Sequence, residues 1–463
     1  MNLGGIGRRL ANAFEVETYM LRYFALLTAV FGLVCRIDAQ ELEIAAETKP
    51  GAELRAFVDK QDDVFAWKVL DEREIEGNRI HHLSLTSQRW QGIVWQHDLM
   101  IYEPRELTNT DHMLLLISGG SNGKQPKEGE MAMCLRLARL SGARVAAIHQ
   151  VPNQPLLDGR HEDDLITETW LRYLDTGDTS WPLLFPMVKS VMKAMDATEA
   201  FAGSRQWPKI QGFVTTGASK RGWTSWLTPA ADKRVIATAP MVIDMLNFPA
   251  QIKHQYRVWG EPSEQIHDYT SKGLIPKDGV PRAGREAKLW EMMDPYSYRV
   301  QVSIPKLLMV GANDPYWTTD AMNQYWDDLH GAKSIFRAAN AGHGFEGSTD
   351  KVISTAAAFF RCVTQKKSLP VLKWKFESQP DSVDLSLICK EPAVSATLWT
   401  AQSATLDFRK AVWKSQPLSG SGGDGTWNDS FATSPNQHVA IYAELGFKEG
   451  EVPYSLSTLV HCQ

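Results

Sequence analysis

The sequence predicts an α/β fold, a mostly parallel sheet with helices on both faces, followed by an all-β, sandwich-like C-terminal segment. Three observations predict it. Short uninterrupted apolar runs such as "HMLLLI" (112–117), "ARVAAI" (143–148) and "KLLMVG" (306–311) suit strands buried on both faces. Stretches with apolar residues at helical spacing alternate with these runs, the rhythm of β-α-β units. After "TQKKSLP" (364–370) the helical pattern stops, and short alternating runs separated by turn residues take over.

The chain of 463 residues is long enough to bury a large core and to hold more than one domain. Its composition, 43% hydrophobic and 22% charged with a net charge of −5, is that of a globular protein. A mildly acidic balance with no basic stripe excludes a nucleic-acid partner. Sixteen tryptophans supply core, with an aromatic-lined cleft as the alternative use. "MLRYFALLTAVFGLVCRIDAQ" (20–40) places Arg22 before an apolar run and a small residue, Ala39, near its end. That is the shape of a secretory signal, too short for a comfortable membrane span, with Met20 a second candidate start. An uncleaved N-terminal anchor is the alternative. Leu33 and Val34 precede Cys35 where a lipoprotein box needs small residues. No later stretch is long and apolar enough to cross a bilayer, so a secreted or periplasmic protein with no stable membrane span after signal removal is expected. The sequence leaves the oligomeric state open.

The elements follow in order. "IHHLSLTSQRW" (80–90) and "GIVWQHDLMIYEP" (92–104) alternate as strands, and "HMLLLISGGSNG" ends in a glycine turn. "EGEMAMCLRLARLSG" sets Met131, Leu135 and Ala138 at helical spacing, and "ARVAAIHQVP" is a strand closed by proline. A helical region from Glu162 to about Ala202 breaks near "DTGDTSWP". Strand "IQGFVTTG", helix "ASKRGWTSWLTPAA" and strand "RVIATAPMVID" come next, then a loop-rich insertion over about 245–300. The pattern resumes with strand "IPKLLMVGAND", helix "TTDAMNQYWDDLHG", strand and loop "KSIFRAANAGHGF", and helix "STDKVISTAAAFFRCV" capped at Ser348 or Thr349. The expected domains are a signal peptide (1–39), an α/β domain (40–366) carrying the insertion, and a β domain (367–463).

Chemistry enters at strand ends, where open parallel sheets gather their active groups. Ser219 follows "GFVTTG", Asp314 follows "LLMVGAN", and His343 lies in "NAGHGF". Serine, then acid, then histidine is the order of α/β-hydrolases. A serine hydroxyl needs an imidazole to take its proton, and the imidazole needs a carboxylate to fix its tautomer. The elbow "TTGASKRGW" departs from G-x-S-x-G, because Arg221 stands in the fifth place and Gly222 follows it. An oxyanion hole is expected from the Lys220 N–H and from Gly120 or Ser121 in "SGGSNG". Asp244, after "TAPMVI", is the alternative acid. Arg221 either binds an anionic substrate group or pairs with an acid such as Asp244. Tyr316 and Trp317 either wall a substrate pocket or pack beneath the insertion.

"TTGASKRGWTSWLTPAADKRVIATAPMVIDMLN", "VPNQPL", "DPYSY", "IPKLLMVGANDPYW", "YWDDL", "NAGHGF" and "LWTAQSATLDFR" together resemble the PhoPQ-activated pathogenicity-related family of secreted proteins. The resemblance spans about residue 50 to the C-terminus. It implies an α/β-hydrolase fold and the same Ser219, Asp314 and His343. Some relatives are regarded as secreted signalling factors. The basic elbow is also similar to that of glucuronoyl esterases.

These readings predict an exported serine hydrolase, an esterase rather than a peptidase, acting on a small-molecule or glycan-linked ester. The rival is a secreted signalling or binding protein on a hydrolase scaffold. No metal or organic cofactor is expected, and no C-x-x-C spacing supplies a thiolate metal site. With Cys35 removed in the signal, Cys134, Cys362, Cys389 and Cys462 remain. Cys134 and Cys362 fall on helices that cover one sheet face in this fold, so bridges 134–362 and 389–462 are conceivable, with buried free thiols as the alternative.

Overall fold

The computed structural model describes residues 51–61, 63–275, 283–419, 425–434 and 437–463. The expected signal segment, including Met20 and Cys35, lies outside them, as do residues 276–282 of the insertion. The described chain begins with α1 (Ala52–Asp59) and three antiparallel strands, β1 (Ala66–Ile75), β2 (Asn78–Trp90) and β3 (Ile93–Glu103). Strands and helices then alternate: β4 (Asn109–Ile117), α2 (Glu128–Ser141), β5 (Ala143–Ile148), α3 (Glu162–Thr176) and α4 (Leu184–Ser204). After these come β6 (Gly212–Ala218), α5 (Lys220–Ala231) and β7 (Val235–Met241). The insertion holds α6 (Phe248–Trp259), α7 (His267–Thr270) and α8 (Gly284–Met293), and the alternation closes with β8 (Lys306–Gly311), β9 (Lys333–Ala338) and α9 (Thr349–Thr364).

These strands pair in the order β1-β2-β3-β5-β4-β6-β7-β8-β9. Pairing is antiparallel as far as β5 and parallel from β5 to β9. This is the α/β-hydrolase fold. The order reverses around β4, and that switch point is where a doubly wound sheet opens a crevice beyond its carboxyl ends.

Period-two alternation feeds two cores. Met113, Leu115 and Ile117 of β4 join one cluster with Phe213, Leu308 and Ile335. Leu114 and Leu116 join the other with Val214, Met309 and Phe336. Helices α4 and α5 contribute to the first cluster, α2 and α9 to the second. Sheet strands buried on both faces read as continuous apolar runs for this reason.

The C-terminal segment forms two antiparallel sheets. One contains β10 (Lys373–Ser378), β11 (Ser382–Ile388) and β14 (Thr426–Ala432) in the order β10-β11-β14. The other contains β12 (Ser395–Ser403), β13 (Lys414–Pro417), β15 (His438–Glu449) and β16 (Val452–Ser457), in the order β13-β12-β15-β16, with β17 (His461–Cys462) paired to β15. Leu385, Leu398, Ile441 and Leu456 share a hydrophobic cluster with Phe359 and Phe360 of α9. Glu53–Gln463 is one compact unit. The β segment therefore covers α9 and continues the core of the larger sheet.

Two expectations are corrected. The stretch 318–331 was expected as a helix, but it holds only a 3-10 turn at Ala321–Gln324. Side chains take the carbonyls that a helix would use: Gln251 donates to Ala321 O (2.9 Å) and Asn247 to Gln324 O (2.9 Å). Ser348 does occupy the N-cap of α9, but its side chain makes no capping hydrogen bond. The conceivable disulfides are not formed, and Cys134, Cys362, Cys389 and Cys462 are free thiols. Helices α2 and α9 do pack together. Yet Cys134 faces Tyr102 and Glu130, and Cys362 points at Glu449 Oε2, 3.8 Å away. Cys389 and Cys462 lie in different hydrophobic clusters. Burial pushes all four thiols up, Cys362 and Cys389 to about 11. Alkylation of unfolded, unreduced protein is expected to modify all four positions, read by peptide mapping; an unmodified pair at 134/362 or 389/462 would refute this.

Candidate active site

Ser219 lies between β6 and α5 with φ 57° and ψ −124°, a conformation that costs a non-glycine residue about 1–3 kcal/mol. Backbone bonds hold it: Ser219 N donates to Met241 O (2.9 Å), and Trp223 N donates to Ser219 O (2.9 Å). Its hydroxyl plays no part in capping α5. Close approach of helix to sheet explains the flanking glycines. A Cβ on Gly222 would lie 2.8 Å from Met241 O, and one on Gly217 would lie 2.7 Å from Arg221 O.

Asp314, in the turn after β8, accepts from Tyr316 N (3.0 Å) through Oδ1 and meets His343 Nδ1 at 2.8 Å through Oδ2. A carboxylate at Nδ1 keeps the proton there and leaves Nε2 as the acceptor. The Tyr316 ring lies against His343 with centroids 4.3 Å apart, fixing the imidazole from one side. Asp244 does not take this place. It is buried elsewhere and accepts from Tyr325 OH (2.6 Å), and burial pushes its carboxyl up to about 6.

Ser219, Lys220, His343, Tyr316 and Trp317 line one cavity of about 30 Å³. Asp163, Trp223, Phe248, Ile266 and Tyr269 complete most of its wall, and none of these five was singled out from the sequence for that role. A larger cavity of about 550 Å³, among Lys306, Trp326, Leu369 and Trp374, contains none of the candidate residues. Asp163 was the hardest to foresee, because "HEDDL" reads as the acidic first turn of a helix. Its carboxylate meets Lys220 Nζ (3.0 Å) and accepts from Tyr269 OH (3.0 Å). Burial opposes the charge on Lys220, but Asp163 and Glu162 outweigh it and raise its pKa.

Arg221 does not line the cavity. Its guanidinium makes a bidentate pair with Glu162 (2.8 Å on both arms), and its Nε donates to Val151 O (2.5 Å). The partner acid is thus Glu162 and not Asp244. Burial works against the charge on Glu162, yet the Arg221 hydrogen bonds, the charges of Arg221 and Lys220, and Gln154 bring it down to about 2. The same network reaches the loop after β4. Gln154 Nε2 donates to Glu162 Oε1 (2.6 Å) and Gly120 O (3.1 Å), and Gln150 N donates to Gly119 O (2.6 Å). A Cβ on Gly119 would lie 2.7 Å from the Arg221 guanidinium. Gly120 (φ 109°) and Ser121 stand in this loop but not among the cavity-lining residues, whereas Lys220 is both a lining residue and the first residue of α5. Its N–H, in the first turn of the helix, has no intrahelical partner.

A family model described as PhoPQ-activated pathogenicity-related protein matches residues 54–409. The chain belongs to this family. It is 31% identical over 375 residues to autocrine proliferation repressor protein A of Dictyostelium discoideum, covering 76% of this chain and 75% of that one. Solved structures similar to it include an acetyl xylan esterase from Paenibacillus sp. R4, 12% identical with a TM-score of 0.46, covering 67% of this chain and 92% of that one. Another is an S-formylglutathione hydrolase from Agrobacterium tumefaciens, 12% identical with a TM-score of 0.43, covering 64% and 98%.

Asp244 gives a test by pH. Its folded carboxyl holds a proton up to about pH 6, whereas an unfolded chain releases it near about pH 4. Between these values unfolding releases a proton, so this group makes stability fall as pH rises, and the loss is complete above about pH 6. Asp244→Asn keeps an acceptor for Tyr325 and removes the titration. Its urea midpoint relative to wild type is expected to rise from about pH 4 to about pH 7, and a pH-independent difference would count against the assignment.

Proposed function

We propose that this family member is a serine hydrolase acting on carboxylic esters through Ser219, His343 and Asp314. The observation that carries the reading is the 2.8 Å Asp314–His343 pair, whose histidine lines the same cavity as a serine held at positive φ. His343 Nε2 takes the proton of Ser219 Oγ as the oxygen attacks the ester carbonyl. Asp314 holds the imidazole tautomer and stabilises the imidazolium that forms. The tetrahedral oxyanion is held by the Lys220 N–H, with Gly120 or Ser121 as the second donor. The C–O bond to the alcohol breaks, and the alcohol leaves with the proton from His343. Water, deprotonated by the same histidine, then cleaves the acyl-serine, releasing the carboxylic acid and restoring Ser219.

A second reading, a signalling protein on the same scaffold, is favoured by the name of the Dictyostelium relative. A fluorophosphonate probe separates the two. Labelling that vanishes in Ser219→Ala is expected, and folded wild-type protein that is never labelled would leave only the signalling reading. Asp314→Asn is expected to lower kcat by about 10⁴-fold through the wrong histidine tautomer, whereas Asp244→Asn stays within a few-fold of wild type. A drop of similar size in Asp244→Asn would transfer the acid role to it.

Export is part of the proposal, supported by the apolar run after Arg22. Protein recovered from outside the cytoplasm is expected to begin near Gln40 by N-terminal sequencing. An intact N-terminus on exported protein would refute cleavage.

A further inference from the structure

The cavity beside Ser219 is small, and that restricts the acyl group it can take. Its volume of about 30 Å³ is room for roughly two water-sized groups, since one occupies about 10–15 Å³. Pockets that accept drug-sized ligands measure about 300–1,000 Å³. Part of its wall is apolar, formed by the buried side chains of Trp223, Phe248, Ile266 and Trp317.

Those walls are fixed by their own packing. The Phe248 ring stacks on Trp290 at 4.4 Å and meets Trp317 edge-on at 5.7 Å. Trp223 Nε1 donates to Met293 O (2.6 Å), and its ring meets Trp170 edge-on at 5.9 Å. Enlarging the cavity would break several of these contacts at once. The polar side carries Lys220 and Asp163, which are paired with each other, so a charged acyl group gains no uncompensated partner there.

Chemistry sets the orientation. His343 must hand its proton to the departing alcohol, so the alcohol lies on the histidine side of the scissile carbon. That side meets solvent, with 27% of the His343 side chain exposed. An acyl substituent on the opposite side of that carbon would face the apolar part of the wall.

We propose that the space along this apolar wall is an acyl site admitting formyl, acetyl or propionyl groups and excluding butyryl and longer ones, with the alcohol part largely unrestricted. The inference rests on the serine hydrolase reading. In the step concerned, Ser219 Oγ bonds to the short acyl carbon, the ester C–O bond breaks, and the alcohol takes the proton that His343 received from Ser219.

The test is turnover of p-nitrophenyl acetate, propionate, butyrate and hexanoate by the full chain and by Ser219→Ala. One methylene in a fitted apolar site is worth about 10–200-fold, so kcat/KM is expected to fall at least about tenfold from propionate to butyrate. Ile266→Ala and Phe248→Ala, each checked for a cooperative thermal transition, are expected to raise the butyrate-to-acetate ratio at least about tenfold. Ser219-dependent hydrolysis in which butyrate matches or exceeds acetate overturns the acyl limit and leaves the hydrolase reading standing. Absence of Ser219-dependent turnover of any of the esters overturns both.

Discussion

The pair between Arg221 and Glu162 ties together four segments of chain on which the site depends. Arg221 stands two residues after Ser219, and its guanidinium reaches Glu162 at the start of α3, Val151 O in the turn after β5, and the flat face of Gly119 beyond β4. Gln154 extends the contact from Glu162 to Gly120 O. A buried guanidinium is tolerable only when its hydrogen-bonding capacity is filled, and here the half-exposed Glu162 carboxylate and Val151 O take the Arg221 donors while the Gln154 amide donates to Glu162. The usual glycine after the serine elbow is absent for a physical reason: its place holds a tether. The need for a missing Cβ reappears at Gly222, against Met241 O, and at Gly119, beneath the guanidinium.

Much of this was legible in the sequence where burial leaves a one-dimensional trace. Strands covered on both faces, such as β4 and β8, appear as unbroken apolar runs; the carboxyl end of β8 locates Asp314, and that of β6 locates Ser219, without any contact information. His343 follows from the same logic at β9. What could not be read is whatever depends on side chains meeting across loops. Glu162 and Asp163 look like ordinary helix-start acids, and only the fold brings them to Arg221 and Lys220, more than fifty residues later in the chain. Phe248 and Ile266 sit in an insertion without strong periodicity, so their place in the cavity wall leaves no pattern. The segment 318–331 has helical spacing, yet Gln251 and Asn247 claim its carbonyls and Tyr325 reaches back to Asp244. Tertiary hydrogen bonds outweigh a local preference of a few tenths of a kcal/mol per residue, on the order of the helix-propensity scale.

The charges around the cavity form one linked network, because Lys220 Nζ also meets Glu162 Oε2 at 3.3 Å. Arg221 and Glu162 set where the elbow and the β4 loop stand, outside the lined space. Lys220 and Asp163 sit inside it, and Tyr269 donates to the same Asp163 carboxylate, so a residue of the insertion helps hold the first side chain of α5. Lys220 is therefore anchored at its ammonium while its N–H faces the start of the helix. That anchoring matters for an oxyanion donor, whose value depends on being oriented before charge develops. The elements that would do chemistry come from strand ends of the sheet, whereas Phe248, Ile266 and Tyr269 come from the insertion after β7. On the proposed reading, the insertion supplies part of the acyl wall, through Phe248 and Ile266, while the chemistry comes from strand ends. A substitution in the insertion can change the volume beside Ser219 without touching the Asp314–His343 pair, which is why its effect should appear in the ratio between substrates more than in the ability to acylate at all.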